Sequence, residues 1–282
     1  MVDAFRRLSY NGSLISRVNK SFIFDQPHQA DYMERRCAFL GRFLPQWKRE
    51  LDLRTALDVG CGVGYFSAFL RDAGLQVTAV DGREENIAEA RTRHPGIEFR
   101  VCDVEAPQLT ELGKFDLVLA FGLLYHLENP FRAIRNLHAL TGKVLLIESL
   151  FVPGEAPALL LLDEYAVEDQ SLRAVSCYPT EAAIAKMAFR AGFPRVYRFR
   201  EFPDHEQFRR VDGRDRVRTL FAAATLDVRS PLLEAVSEPF ARPDRLTKQR
   251  KGLAKLFRRL GKGFRRPAPA AAAATHSGTR GD

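Results

Sequence analysis

A chain of 282 residues with 46% hydrophobic side chains can bury a full core, which excludes wholesale disorder and fits one large domain or a domain plus an appendage. Its formal net charge of +8 suggests nucleic acid or an anionic membrane as partner until the charge is located. Between Arg242 and Arg266, 11 Lys or Arg face the single acid Asp244, so this stretch carries +10 and residues 1–241 carry −2.

No apolar run reaches the roughly 20 residues that cross a bilayer. The start, MVDAFRRLSYNGSL, lacks the basic-then-apolar order of a secretion signal. The expectation is a cytoplasmic protein with no transmembrane segment, with the basic tail as a means of peripheral membrane association. Cys37, Cys61, Cys102 and Cys177 are too scattered for a metal cluster or a redox pair, so reduced thiols and no metal are expected.

In chain order, residues 1–53 are expected to form an N-terminal helical cap and residues 54–240 the main domain. From Arg54 onward, short apolar runs rich in β-formers alternate with helical patterns, which is the signature of a parallel sheet covered on both faces. Strands are predicted at Thr55 to Asp58, Val77 to Val80, Glu98 to Val101, Asp116 to Ala120 and Lys143 to Glu148, with helices in the gaps. The helix near Pro130 has Asn129 as its expected cap, an apolar stripe of Phe131, Ile134, Leu137 and Leu140, and Gly142 as its stop. Residues 151–178 break the alternation with an apolar patch, Ala158 to Leu162, followed by Asp163, Glu164, Glu168 and Asp169, and read as a lid or acceptor-binding insertion. A helix follows from near Pro179, with Thr180 or Tyr178 at its cap and Gly192 at its end. The candidates Arg195 to Arg200 and Val217 to Ala224 are expected to pair antiparallel at one sheet edge. Residues 241–282 begin with a basic amphipathic helix candidate, in which Leu246, Leu253, Leu256, Phe257, Leu260 and Phe264 recur among Lys and Arg, and end in an Ala/Pro-rich segment expected to be disordered.

The strongest chemical signal is LDVGCGVGYFS, Leu57 to Ser67, where an apolar strand runs into Gly60, Gly62 and Gly64 and then a helix. Such a loop lets a ligand approach the backbone and presents helix N-terminal N–H groups to it. A dinucleotide-binding fingerprint requires glycine at the sixth position counted from Gly60, where this chain has Tyr65. Three further signals follow in register: VTAVDGREENIAEAR with Asp81 at a strand end, CDVE with Asp103 and Val104 after the next strand, and FDLVLAFGLLYHLENP with Phe121 and Gly122.

Together these resemble the motifs of the class I S-adenosylmethionine-dependent methyltransferases over roughly residues 50 to 225. The resemblance implies a Rossmann-like α/β fold, with a seven-stranded, mostly parallel sheet, an antiparallel last strand and helices on both faces. It implies S-adenosylmethionine as cofactor. Asp58, Gly60, Gly62 and Gly64 then belong to the binding loop, Asp81 takes the ribose hydroxyls, Asp103 and Val104 meet the adenine, and Phe121 and Gly122 lie near the methionine end. Taken singly, each aspartate could be a turn cap; three at successive strand ends beside the glycine loop favour one ligand.

GLLYHLENP further resembles the branch containing the wobble-uridine carboxymethyltransferases of transfer RNA, in which a tyrosine matching Tyr125 helps hold a carboxylated cofactor. Leu127 replaces the basic residue of that branch, and the segment before Arg54 has no evident counterpart of the long N-terminal region that supplies another cation. Ordinary S-adenosylmethionine is therefore the expectation. His126 is a candidate general base and Tyr125 a candidate acceptor-orienting residue. The acceptor is expected to be a small molecule with an oxygen or nitrogen nucleophile. The alternatives are an RNA-modifying methyltransferase or carboxymethyltransferase and a noncatalytic binding module. Arg242 to Arg266 is the candidate contact for RNA phosphates or an anionic membrane surface, or else it docks on its own domain.

Overall fold

The computed structural model describes residues 22–164, 170–209 and 217–239; the readings of the tail beyond Pro239 and of Glu168 and Asp169 lie outside them. The chain enters through helices α1 (Pro27–Gly41) and α2 (Leu44–Glu50) and then alternates strand and helix: β1 (Thr55–Val59), α3 (Tyr65–Asp72), β2 (Gln76–Asp81), α4 (Glu84–Arg93), β3 (Glu98–Val101), β4 (Phe115–Phe121), α5 (Pro130–Leu140) and β5 (Thr141–Phe151). There follow β6 (Leu159–Asp163), β7 (Val175–Pro179), α6 (Glu181–Ala191), β8 (Arg195–Phe199), β9 (Val217–Ala224) and β10 (Leu233–Ala235). The main sheet has the order β10-β8-β9-β5-β4-β1-β2-β3. β1 pairs in parallel with β2 and β4, β2 with β3, and β4 with β5, while β9 runs antiparallel between β5 and β8.

The five expected parallel strands are all present, and the central ones are almost wholly buried because both faces are covered. One apolar cluster joins α1 to α4 to one face of the sheet, and a second joins α5 and α6 to the other. The N-terminal helices belong to the first layer: Phe43 and Trp47 pack against Phe199 of β8 with ring centroids 5.3 and 6.3 Å away.

Several expectations need correction. The main sheet has eight strands, because the three-residue β10 pairs antiparallel with β8 and forms the edge; LEA is too short to carry a periodic signal. β8 is consequently an internal strand, between β10 and β9. The gap between β3 and β4 holds a 3-10 turn, Pro107–Leu112, since this connection is too short for a full α-helix. Asn129 makes no side-chain cap to α5; its backbone N–H instead donates to Glu105 Oε1 at 2.6 Å. Gly142 does not stop α5, which ends at Leu140, and belongs to β5.

Within 151–178, β6 and β7 form an antiparallel hairpin separate from the main sheet. Alternation explains the apolar patch: Leu160 and Leu162 pack towards Tyr125, Val152 and Tyr178, while Leu159 and Leu161 face outward. Thr180, fully buried, ties the base of this hairpin to α6. Its Oγ1 accepts from the N–H groups of Ala183 and Ala158, each at 3.1 Å, and donates to the Ala156 carbonyl at 2.8 Å. Thr180→Ala removes a helix cap and takes the acceptor from the part-buried Ala158 N–H, so it should cost about 1 to 2 kcal/mol in urea unfolding, with most of the loss recovered by Thr180→Ser.

Candidate active site

Parallel strands deliver their C-terminal ends to one edge of a sheet, where ligands of open α/β folds bind. Here that edge carries two adjoining cavities, of about 60 and about 120 Å³. Gly60, Asp81, Leu123, His126 and Gln170 line both, so the two form one elongated trough with His126 at its waist.

The smaller end is acidic. After β1, Gly60, Gly62 and Gly64 all adopt positive φ, 72, 54 and 90°, which lets the loop turn sharply into α3. At Gly62 the space is as restrictive as the dihedral, because an added Cβ would lie 2.7 Å from the Phe24 ring. Asp81, at the end of β2, accepts from the Gly62 N–H at 2.9 Å through Oδ2, and from the Arg83 N–H and Asn86 Nδ2 at 2.9 and 3.1 Å through Oδ1. Asp103 follows β3 and accepts from the Glu105 N–H at 2.8 Å and Arg173 at 2.7 Å; Val104 lies beside it in the wall.

Asp58 is not in the wall. It is buried beneath the loop and accepts from Ser67 Oγ of α3 at 2.6 Å, bracing the two arms of the β1–α3 turn. Burial, reinforced by the Asp81 charge and opposed by the Ser67 hydrogen bond, pushes its carboxyl up to about 7.

The larger end is cationic. Phe121 and Gly122 end β4, and beyond them Glu148 of β5 lies fully buried between Arg36 of α1 and Arg218 of β9. Arg218 donates to Glu148 Oε1 at 2.7 Å and to the Tyr125 hydroxyl at 3.0 Å. Tyr32 donates to Glu148 at 3.4 Å. Burial raises the Glu148 carboxyl, but the charges of Arg218 and Arg36 outweigh it and hold the group below the usual carboxylate range. Both guanidinium groups remain charged, so two cations face one anion and the cup keeps one positive charge. Arg36 Nε is buried with no hydrogen-bond partner, an unmet donor in the half of the trough best suited to an anion.

At the waist, His126 Nδ1 meets Glu164 Oε1 at 2.5 Å. Nδ1–H donating to a carboxylate leaves Nε2 as the proton-accepting nitrogen, the arrangement a general base requires. Burial raises the Glu164 carboxyl, yet the His126 hydrogen bond and charge and the backbone N–H groups of Ser171 and Gln170 outweigh it and hold it below its ordinary value. The sign follows: the dyad persists as pH falls through the ordinary carboxylate range and is lost only when Glu164 protonates below it.

Gly60, Asp81, Asp103, Val104, Phe121, Tyr125 and His126 thus meet in one trough. Arg36, Glu148, Arg218, Glu164 and Arg173 were not expected there. Glu164 stood in the acid run of the insertion, but only the hairpin brings it to His126; Arg36 and Arg218 had no sequence signal. Arg36 also means that the short segment before Arg54 does supply a cation beside Tyr125. Among the described residues no cluster has the composition of a metal site, and no helix is long and apolar enough to cross a membrane.

Asp58 generates a prediction about stability. The fold retains its proton between the ordinary value of 3.8 and about 7, whereas the unfolded chain loses it, so this group makes stability fall as pH rises through that window. In thermal melts of ligand-free protein, Asp58→Asn should match the wild type near pH 4 and exceed it increasingly towards pH 7.

Comparison with known proteins agrees with this architecture. Residues 28–197, more than half of the chain, match the family described as a methyltransferase domain. The chain is 31% identical over 150 residues to a tRNA U34 carboxymethyltransferase of Pseudoalteromonas translucida, covering 51% of this chain and 45% of the relative. It is 33% identical over 103 residues to a ubiquinone biosynthesis O-methyltransferase of Bordetella avium, covering 34% and 43%. The chain spans about half the length of the curated relatives it matches. Among solved structures, the N-terminal domain of EvdMO1 with SAH bound is 20% identical, with a TM-score of 0.56 over 79% of this chain and 96% of that one. Magnesium protoporphyrin IX methyltransferase (ChlM) from Synechocystis PCC 6803 with bound SAM is 19% identical, with a TM-score of 0.50 over 79% and 90%. At these identities the likeness is one of fold. The chain belongs to the methyltransferase-domain family and has the class I fold that works with S-adenosylmethionine.

Proposed function

We propose that the chain transfers a methyl group from S-adenosylmethionine to a hydroxyl of a small-molecule acceptor, with His126 as the general base. The observation that carries this reading is the pairing of His126 with Glu164 at the waist of the trough, between its acidic and cationic ends. The bound cofactor supplies an electrophilic methyl on a sulfonium. The remaining task is to align the acceptor, exclude water and take its proton.

The residues fit an elongated cofactor of this kind. Asp81 can accept from the ribose hydroxyls, Asp103 and Val104 stand where the adenine edge would be read, and Gly60 lets the backbone approach. The Phe121–Gly122 turn marks the methionine end, adjoining both Tyr125 and His126. Tyr125 is then an orienting group: its hydroxyl is held by Arg218 at 3.0 Å, and its ring lies near Tyr178, with centroids 6.0 Å apart.

A second reading, carboxymethyl transfer to RNA, is favoured by the cationic cup. A carboxylate on the transferred carbon would meet Arg218, Arg36 and Tyr125, and the tRNA relatives match about half of this chain. The +10 stretch of Arg242 to Arg266 would suit phosphates. The small-molecule reading is preferred because residues 1–241 carry a net charge of −2.

Three outcomes are expected. Asp81→Ala should weaken S-adenosylhomocysteine binding by about 1.5 to 3 kcal/mol in calorimetry while the protein stays folded; unchanged affinity would remove the ribose assignment. With an acceptor found by screening radiolabelled donor, His126→Gln should lower turnover and abolish the pH-rate limb of the base without changing cofactor affinity. Ordinary S-adenosylmethionine should bind at least as well as its carboxylated form. A tenfold preference for the carboxylated form that disappears in Arg218→Met would replace the first reading by the second.

A further inference from the structure

The base proposed above depends on a carboxylate from an inserted hairpin, and that hairpin is fastened to the opposite end of the trough. Glu164 follows β6. Its Oε1 meets His126, and its Oε2 accepts from the Ser171 N–H at 2.6 Å. Ser171 is itself fixed on both sides, because its Oγ accepts from the N–H groups of Arg173 and Val175 at 3.1 and 3.3 Å. Ser171, with the Gln170 N–H beside it, therefore connects Glu164 to Gln170–Arg173, the segment that walls the acidic end.

Three contacts hold that segment down. Arg83, from the β2–α4 turn, donates to the Gln170 and Ser171 carbonyls at 3.3 and 3.0 Å. Arg173 reaches Asp103 at 2.7 Å, and Glu105 and Glu128 at 3.4 Å. Leu172 lies over Gly82, where an added Cβ would come within 2.5 Å of Leu172 Cδ1. Leu172 is nevertheless 46% exposed, a large apolar side chain on the wall of a cavity bounded by Asp103 and Val104. A planar ligand ring seated there would bury Leu172 and fill the space beside Arg173, adding apolar contact to a segment now held mainly by polar ones.

We infer that Glu164 is a positioning residue for His126, and that Gln170–Arg173 makes its placement respond to occupation of the adenine end of the trough. Cofactor binding then steadies Ser171, Ser171 steadies Glu164, and Glu164 holds His126 with Nδ1 protonated and Nε2 open to the acceptor. The inference rests on the proposed cofactor and base. It adds a coupling, in which occupation of the donor end further stabilises a dyad that is already formed. By linkage the effect is reciprocal: whatever factor the ligand adds to the dyad, the dyad adds to ligand affinity.

The test needs no acceptor. Full-length protein labelled with ¹⁵N-histidine reports the tautomer of His126 through its imidazole nitrogens, the signals being assigned with His126→Gln, and S-adenosylhomocysteine serves as the probe. In the wild type the Nδ1-protonated form should dominate and increase on adding the probe. Glu164→Ala should abolish that preference with or without probe and weaken probe binding about three- to tenfold. Leu172→Ser and Arg173→Ala, which each remove one of the three contacts on the segment, should weaken the Nδ1 preference of the probe-free protein only in part and lose most of the response at saturating probe. A His126 spectrum unchanged in Glu164→Ala would overturn the positioning role. A full response in both Leu172→Ser and Arg173→Ala would overturn the coupling. Failure of the wild type to bind the probe in calorimetry would overturn the cofactor reading and this inference with it. Full turnover by His126→Gln would instead remove the base alone, leaving the tautomer result intact.

Discussion

The cationic half of the trough is organised around one buried carboxylate. Glu148 lies near the middle of β5 in sequence but at the ligand edge of the sheet, and it has no exposed surface. Removing an ionised carboxylate from water costs several kcal/mol unless the surroundings replace its hydration. Arg36 from α1, Arg218 from β9 and the Tyr32 hydroxyl supply the replacement, and in doing so they draw the N-terminal helix and a late antiparallel strand to the end of β5. The aromatic rings around the two guanidinium groups, Tyr32, Phe66 and Tyr125, cover the cluster and strengthen its electrostatics by excluding water. Every other feature of the cationic end, from the orientation of Tyr125 to the unmet donor of Arg36, follows from this arrangement.

The trough is consequently polarised along its length. Carboxylates from β2 and β3 stand at one end, and an excess guanidinium charge stands at the other. An elongated ligand with hydroxyl and amino donors at one end and an anionic group at the other complements such a field. His126 sits where the two ends meet, within reach of both, which is why its partner matters more than its own burial. A histidine without an orienting carboxylate can present either nitrogen; one whose Nδ1 is engaged presents Nε2.

The insertion shows how a shared sheet acquires individual chemistry. The parallel strands and the glycine loop are set by packing and backbone geometry, which leaves little freedom for variation. The connection between β5 and α6 has no such duty, and here it carries a two-stranded hairpin fixed at its base by Thr180. That hairpin covers Tyr125 with Leu160 and Leu162 and delivers Glu164 to the waist. Acceptor choice in such a fold is expected to reside in segments of this kind rather than in the sheet.

Much of the fold was legible because its signals are local. Apolar runs bounded by glycine or aspartate revealed the parallel strands, the Thr180-to-Gly192 signals bounded α6, and the positions of Gly60, Asp81 and Asp103 just at strand ends placed them along one edge of the sheet. Local signals also misled: Asn129 and Gly142 have the chemistry of helix ends, yet Glu105 takes the backbone N–H of the first, and sheet pairing takes the second into β5. β10 was too short to show any period. The sequence by itself determined the layered α/β architecture and the places of Gly60, Asp81 and Asp103 in the trough, since each lies at or just after the end of a strand that its own neighbours define. Only the tertiary structure decided the rest. Arg36 and Glu148 are 112 residues apart, Glu148 and Arg218 are 70, and His126 and Glu164 are 38, and no pattern along the chain records a contact whose energy exists only once burial has removed the water between its partners.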